Sequence, residues 1–198
     1  MNNLSVIEVL QQTKALQNGH FILSSGKHSR EYVQCQKVLQ YPNHGLAFAR
    51  MLCTKFQGLK INVVIGPALG AVHFELFLAI ALNEANNNVR GLFAEKVRKD
   101  NETIFELRRG QELNPGDNVL IVEDVVTTGN SALKIYELVK SFKANPVAVA
   151  SIIDRTPDVS KFAIPFYSLL QLTLEAYDPF NCPLCAQNLA LVKPGSSV

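Results

Sequence analysis

Charge is scarce in this chain. Charged residues make up 18% of its 198 positions and hydrophobic residues 47%. That balance excludes a disordered chain and a protein that coats nucleic acid. Neither sign dominates: a net charge of +2 is too small to imply a polyanion partner, so any basic site must be local. The N-terminal MNNLSVIEVLQQ has no cationic start and no apolar signal core. Long hydrophobic runs are missing too. The most apolar stretch, Ala68 to Leu82, is short for a membrane span and carries His73 and Glu75, so it reads as a buried helix. A cytoplasmic protein with no membrane or nucleic-acid partner is expected. No Gly-x-x-x-x-Gly-Lys-Ser/Thr occurs, which excludes a Walker-type phosphate loop.

The four cysteines do not make a disulfide scaffold. Cys53 falls on the apolar face of an expected helix and reads as core; Cys35 ends an expected strand. Cys182-Pro183-Leu184-Cys185 has the spacing of half a zinc site and also of a redox pair. The sequence shows no second ligand pair and no thioredoxin-like context, so the segment reads as a reduced C-terminal turn.

No repeat or low-complexity segment divides the chain, whose length suits one α/β domain. Ser5 and Glu8 form a capping box before a helix carrying Val6, Val9, Leu10 and Leu16, with a stop near Asn18-Gly19. Strands are expected at 20–23 and 31–35, flanking a polar loop. A helix follows from Asn43, with Leu46, Ala49, Leu52, Cys53 and Phe56 inward and Gly58 at its end. Strand and helix then alternate: strand 61–65, helix 71–84, strand 89–94, a hairpin arm over 96–113, strand 119–122, helix 131–143 and strand 147–153. This order gives an α/β fold with a central, mostly parallel sheet and helices on both faces. The core is expected over about 41–159. The N-terminal segment 1–40 and the C-terminal segment 160–198, with a last strand at 166–174, are expected to form a small hood at the strands' C-terminal edge.

The chemistry concentrates in Val119-Leu120-Ile121-Val122-Glu123-Asp124-Val125-Val126-Thr127-Thr128-Gly129-Asn130-Ser131. A buried strand leads into two carboxylates, a hydroxyl-rich loop with one glycine, and an apolar-periodic helix. Backbone N–H groups and the positive end of the helix dipole meet at one point, which suits a phosphate. Thr127, Thr128 and Ser131 add hydroxyl donors. Glu123 and Asp124 repel phosphate, and their targets are sugar hydroxyls or a metal ion. Facing one site, phosphate donors and paired acids fit a phosphorylated sugar. Gly66-Pro67-Ala68-Leu69-Gly70 brings a second glycine-rich turn to the same sheet edge, suited to a second phosphate cluster.

All 13 residues of the first string resemble the 5-phosphoribosyl-1-pyrophosphate (PRPP) motif of the type I phosphoribosyltransferases. The resemblance implies that Glu123, Asp124, Val125, Val126, Thr127, Thr128, Gly129, Asn130 and Ser131 bind PRPP, together with Ala68, Leu69 and Lys96. His20 to Tyr32 resembles the N-terminal signature of the orotate phosphoribosyltransferases, in the form reading Ser-Ser-Gly. Asp154-Arg155 matches that family's Asp-Arg pair at a strand end. The resemblance runs from about Leu4 to Gly195 and assigns orotate to Ser25, Gly26, Lys27, Thr127 and Arg155. An arginine can grip a carboxylate through two parallel bonds.

In that family the 96–113 arm is a flexible catalytic loop serving the neighbouring subunit. Ala94-Glu95-Lys96 and Leu107-Arg108-Arg109-Gly110 are close to one branch of it. Catalytic roles are thereby implied for Asp124, Glu123, Lys99 and Arg108. So are a homodimer with shared active sites, orotate and PRPP as substrates in the de novo route to UMP, and Mg²⁺ held mainly by PRPP, with no certain protein metal ligand. Many orotate enzymes carry a lysine just after the Pro-Ala pair; Leu69-Gly70-Ala71 has none, so pyrophosphate charge must be balanced elsewhere. The alternatives are transfer to another base, a non-catalytic PRPP-sensing regulator, and a zinc or thiol-redox protein resting on Cys182 and Cys185.

Overall fold

A run of β-branched residues buried on both sides is the mark of a strand inside a parallel sheet, and the centre of this molecule is built that way. The computed structural model describes residues 5–23, 25–84, 88–100, 102–156 and 158–194; Ser24 of the polar loop, and Leu4 and Gly195 at the ends of the resemblance, lie outside them. The chain divides into two compact units, residues 39–171 and residues 1–38 with 172–198.

The larger unit holds a six-stranded sheet. In chain order its elements are α3 (Pro42–Cys53), β3 (Val63–Pro67), α4 (Val72–Asn83), β4 (Arg90–Lys99), β5 (Glu102–Glu106), β6 (Asn118–Val126), α5 (Asn130–Ser141), β7 (Asn145–Asp154) and β8 (Phe166–Gln171). The strand order is β5-β4-β3-β6-β7-β8. All neighbours are parallel except the β4–β5 hairpin. Val63, Ile65, Val119, Ile121 and Val149 form one buried cluster with Ala132, Ile135 and Val139 of α5. Period-2 alternation turns Val64, Leu120 and Val122 to the opposite face. There α4 packs on β3 and β4; a Cβ on Gly91 would lie 3.4 Å from Ala79 of α4. Helices thus cover both faces, as the alternation implied.

After β3 the chain crosses to β4 on one side; β6 and its successors lie on the other. The crevice between the C-terminal ends of β3 and β6 is therefore a topological switch point, where ligands of open α/β sheets bind.

The smaller unit contains α1 (Val6–Gln12), the antiparallel pair β1 (Leu16–Ile22) and β2 (His28–Val33), and α6 (Pro183–Ala186); α2 (Gln36–Leu39) spans the division between the units. The Ser5–Glu8 capping box is present. The helix it opens stops at Gln12, well before Asn18-Gly19. Lys14 turns the chain with φ 55°, and Leu16 starts a strand paired with Val33; cross-strand pairing outweighs the helical spacing of Leu16.

Two further boundaries move. Residues 166–171 do not belong to a hood: they pair in parallel with β7 and close the large sheet. The C-terminal unit boundary accordingly falls at 171/172 and not at 160. Helix α3 ends at Cys53, short of Gly58, and Cys53 itself is only partly buried.

Candidate active site

Strand β6 runs four residues past the expected end at Val122, because Val125 and Val126 keep their pairing with Ile153 and Asp154. Both acids are thus strand residues, and strand alternation sends them to opposite faces. This corrects the expectation that the two carboxylates face the same way. Asp124 turns toward the loop after β3: a Cβ on Gly70 would lie 3.3 Å from its Oδ1. A side chain there would press on the carboxylate and require it to shift by a few tenths of an ångström. Glu123 turns toward the first turn of α5, where the Ser131 hydroxyl bonds its side chain.

The environment sets their charge. Burial, then the neighbouring Asp124 charge, pushes the Glu123 carboxyl up to about 8, against the pull of the Ser131 hydroxyl. Burial also raises Asp124, opposed by a hydrogen bond from the Val125 N–H, which donates to Asp124 Oδ1 at 2.9 Å.

The loop Thr127–Gly129 links β6 to α5. Gly129 caps the helix with φ 70°, a left-handed conformation that a side chain disfavours. A Cβ there would also strike Lys161 Cε at 2.7 Å and Phe162 Cζ at 2.8 Å. The first-turn N–H groups of a helix have no intrahelical acceptors, and those of α5 lie immediately after this loop. Thr127 and Thr128 are exposed beside them.

Lys161 was not singled out from the sequence, since it sits in no motif. Its ammonium donates to the Thr128 carbonyl and, at 3.1 Å, to Thr156 Oγ1. It ties the loop after β6 to the segment after β7 and adds a cation beside the phosphate loop. Arg155 lies in that segment. Its N–H donates to the Val126 carbonyl at 2.8 Å, while the Asp154 carboxylate accepts the Thr156 N–H at 2.8 Å. The Asp-Arg pair is therefore positioned by backbone bonds directly next to the β6 loop.

Ala68, Leu69, Phe93, Glu95, Lys96 and Arg109 line one cleft of about 490 Å³. Lys96 thus lines the same cleft as Ala68 and Leu69 of the glycine-rich loop, and so does Arg109, held by Glu95 at 2.6 Å. Lys99 and Arg108 are exposed and do not line the cleft. Lys99 pairs with Glu102 at the tip of the β4–β5 hairpin, about 17 Å along the strand from Ala94.

Ser25, Gly26 and Lys27 belong to the smaller unit. There the Leu23 N–H donates to the Lys27 carbonyl at 2.8 Å and the Gly26 N–H to the Leu23 carbonyl at 2.9 Å, and Ser25 and Lys27 are exposed.

One consequence concerns pH. Buried Glu75 on α4 is raised to about 8 by desolvation, as Glu123 is. Below about pH 4.5 both groups are protonated in the folded and the unfolded chain. Between there and about pH 8 the folded chain holds protons that the unfolded chain has released, so stability falls as pH rises. Urea unfolding of the ligand-free protein is expected to show a loss of a few kcal/mol from about pH 5 to about pH 8. Glu75→Gln and Glu123→Gln should each flatten the decline; unchanged slopes in both variants would contradict the assignment.

The phosphoribosyl transferase domain family matches residues 36–178. The orotate phosphoribosyltransferase of Caldicellulosiruptor saccharolyticus is 47% identical over 196 residues, covering 99% of this chain and 98% of the relative. That of Thermotoga maritima is 44% identical over 189 residues, covering 96% of each. The crystal structure of orotate phosphoribosyltransferase from Aeropyrum pernix overlays with a TM-score of 0.69 at 23% identity, covering 84% of this chain and 93% of that one. Adenine phosphoribosyltransferase from Thermoanaerobacter pseudethanolicus overlays with a TM-score of 0.59 at 17% identity, covering 72% and 88%, so the fold alone does not choose the base. The chain belongs to the phosphoribosyltransferase family and, by its full-length relatives, to the orotate phosphoribosyltransferases within it. Among the described residues no helix is long and apolar enough to cross a membrane.

Proposed function

We propose that the protein is a pentosyltransferase joining orotate to PRPP, with orotidine 5′-monophosphate and pyrophosphate as products, in the de novo route to UMP. The observation that carries this reading is the β6–loop–α5 unit at the switch point, with Asp124 and Glu123 on either side of the strand end. The orotate nitrogen attacks the anomeric carbon as pyrophosphate leaves, through a transition state of oxocarbenium character. No covalent nucleophile on the enzyme is required, and catalysis is positioning plus charge stabilisation. Residues 125–131 hold the 5′-phosphate through backbone N–H groups and hydroxyls. Asp124 and Glu123 hold ribose hydroxyls as the ring flattens. Ala68 and Leu69 hold the pyrophosphate with Lys96, and Lys99 and Arg108 of the arm approach it on closure. Ser25, Gly26, Lys27, Thr127 and Arg155 are assigned to orotate.

The raised carboxyls of Glu123 and Asp124 fit a hard divalent cation nearby. Mg²⁺, carried chiefly by PRPP, supplies charge neutralisation on the leaving group when bound. The test of the whole reading is a parallel assay with PRPP and Mg²⁺, offering orotate, uracil, adenine, hypoxanthine and nicotinate. Adenine as the preferred base would overturn it.

The proposal includes a cytoplasmic homodimer with shared sites. Helix α4 buries Phe74, Leu78, Ala79 and Ala81 yet leaves Leu76 50% and Ile80 42% exposed, and on α3, which packs on α4, Met51 is 44% exposed. Apolar residues in that arrangement suit a second copy. An arm-defective variant (Lys99 and Arg108 to Ala, with Arg109 of the cleft kept) mixed with Asp124→Asn should recover about a quarter of wild-type activity after exchange, since half the dimers are mixed and each holds one intact site. No recovery despite proven exchange would place the arm in cis; a fully active monomer would refute sharing.

A further inference from the structure

The smaller unit has few buried apolar side chains to hold two chain ends together. Its core is Val6, Val9, Leu10, Ala15, Leu16, Phe21, Val33, Val38 and Leu184, with Cys35 and Cys182. Units this small commonly need a covalent or metal staple. Both ends of the β1–β2 loop carry a histidine, and the C-terminal segment carries Cys182 and Cys185. The sequence separates these pairs by more than 150 residues, and the fold closes the gap.

One ligand atom from each of His20, His28, Cys182 and Cys185 lies within 4.8 Å of all the others. His20 Nε2 is 3.6 Å from Cys182 Sγ and 3.8 Å from Cys185 Sγ, and His28 Nδ1 is 3.4 Å from Cys185 Sγ. A tetrahedral zinc with ordinary bond lengths would set its N···S separations near ~3.6 Å. The two ring nitrogens, 2.9 Å apart, are somewhat closer than the ~3.3 Å such a centre would set. His20, His28 and Cys182 are buried, and no disulfide joins the two thiols.

The surroundings orient the ligands. His20 Nδ1 lies 2.8 Å from the Leu189 carbonyl oxygen, which can only accept. Nδ1 is thereby the donor nitrogen, which leaves Nε2 facing the cluster as the ligand atom, the usual arrangement behind a metal-bound histidine. The Val192 N–H donates to the His20 carbonyl at 2.8 Å, and the His28 N–H to the Tyr177 carbonyl at 2.9 Å. Both histidine backbones are thus anchored to the same C-terminal segment that brings the cysteines. Cys182 caps α6, and the Ala186 N–H donates to its carbonyl at 3.2 Å, which holds the Cys-Pro-Leu-Cys turn closed. Hydrogen bonds satisfy the contacts one pair at a time; four ligand atoms all within 4.8 Å of one another are the arrangement of a metal centre.

We infer that His20, His28, Cys182 and Cys185 form a structural zinc site that staples the β1–β2 hairpin to the C-terminal segment. Two soft thiolates and two imidazoles in a tetrahedral set select zinc over magnesium or calcium. On binding, the two thiols release their protons to solvent, so two thiolates and two neutral imidazoles balance the dication. The four-ligand set leaves no open position, as befits a structural centre.

The test uses the full chain, made without an affinity tag and kept reduced. Elemental analysis should find about one zinc per chain. The chelator-stripped protein should take up about one cobalt(II), with the intense visible bands of tetrahedral coordination and the near-ultraviolet thiolate charge-transfer band. Exposed Cys185→Ser should weaken that band. Cys182→Ser with Cys185→Ser should abolish it, together with zinc retention. Stripping zinc should lower Tm by several degrees and restoring it should reverse the loss. Should the double variant fail to fold, cobalt uptake by the wild-type chain decides alone. Reduced wild-type protein that takes up neither zinc nor cobalt, or takes up cobalt without a thiolate band, would overturn the site.

Discussion

Offered orotate and uracil with PRPP and Mg²⁺, the protein should consume orotate at least ~10³-fold more efficiently, measured as kcat/KM. The two bases differ by one carboxylate, and Arg155 is the group assigned to it. The residue follows β7, its N–H is fixed by the Val126 carbonyl at 2.8 Å, and its side chain is only half-buried. A fully enclosed donor left without its acceptor can enforce a ~10⁴-fold preference or more; partial exposure to water softens that penalty, hence the lower figure. Arg155→Ala should bring orotate close to uracil while leaving PRPP affinity within about threefold, because the backbone bond to Val126 survives. Arg155→Lys should recover only a small part, since an ammonium cannot make two parallel bonds to a planar carboxylate. Equal turnover of uracil by the wild-type protein would remove the base assignment; an unaltered preference in Arg155→Ala would move it to another residue.

The parts of this molecule that could be read in advance are those where local pattern and tertiary environment agree. The run Val119–Val122 is buried on both sides and bounded by acids, so its strand, its loop and α5 follow from composition and punctuation. Leu16 was misassigned because helical spacing and strand alternation both accommodate it, and only pairing with Val33 decides. Residues 166–171 read as part of a hood because nothing local says which sheet a short strand joins. The orientation of Glu123 and Asp124 turned on where β6 ends, which depends on the β7 register. Lys161 carries no motif, and Arg109 stands in the arm's Leu-Arg-Arg-Gly string without a role of its own; both matter through what folds against them. The His–Cys cluster is the extreme case: half its ligands were visible as a Cys-x-x-Cys turn, and the other half are ordinary histidines until the hairpin and the C-terminus meet.

Removing the charge from Asp124 should have the largest effect of any single change in the larger unit's site. Asp124→Asn is expected to lower kcat about a hundredfold, near 3 kcal/mol of transition-state stabilisation. Asparagine keeps the shape and can still accept the Val125 N–H that donates to Oδ1 at 2.9 Å, so the strand end should hold and the fold should be unchanged. What disappears is negative charge beside a ribose that becomes positive as pyrophosphate leaves, a cost felt in the transition state more than in the bound substrate. The loss should accordingly appear in kcat, with KM for PRPP changing little.

Glu123→Gln should cost less, because the Glu123 side chain turns to the first turn of α5 and glutamine can still accept the Ser131 hydroxyl. The cost of Glu123→Gln should rise as the pH passes about 8 and Glu123 ionises in the wild-type protein. Near-normal kinetics in both would leave buried Glu123 and partly buried Asp124 as strand-end acids with no catalytic part. A large loss in Glu123→Gln alone would instead assign the ribose to the α5 side of the strand, and leave Asp124 as the residue that positions the Gly70 loop.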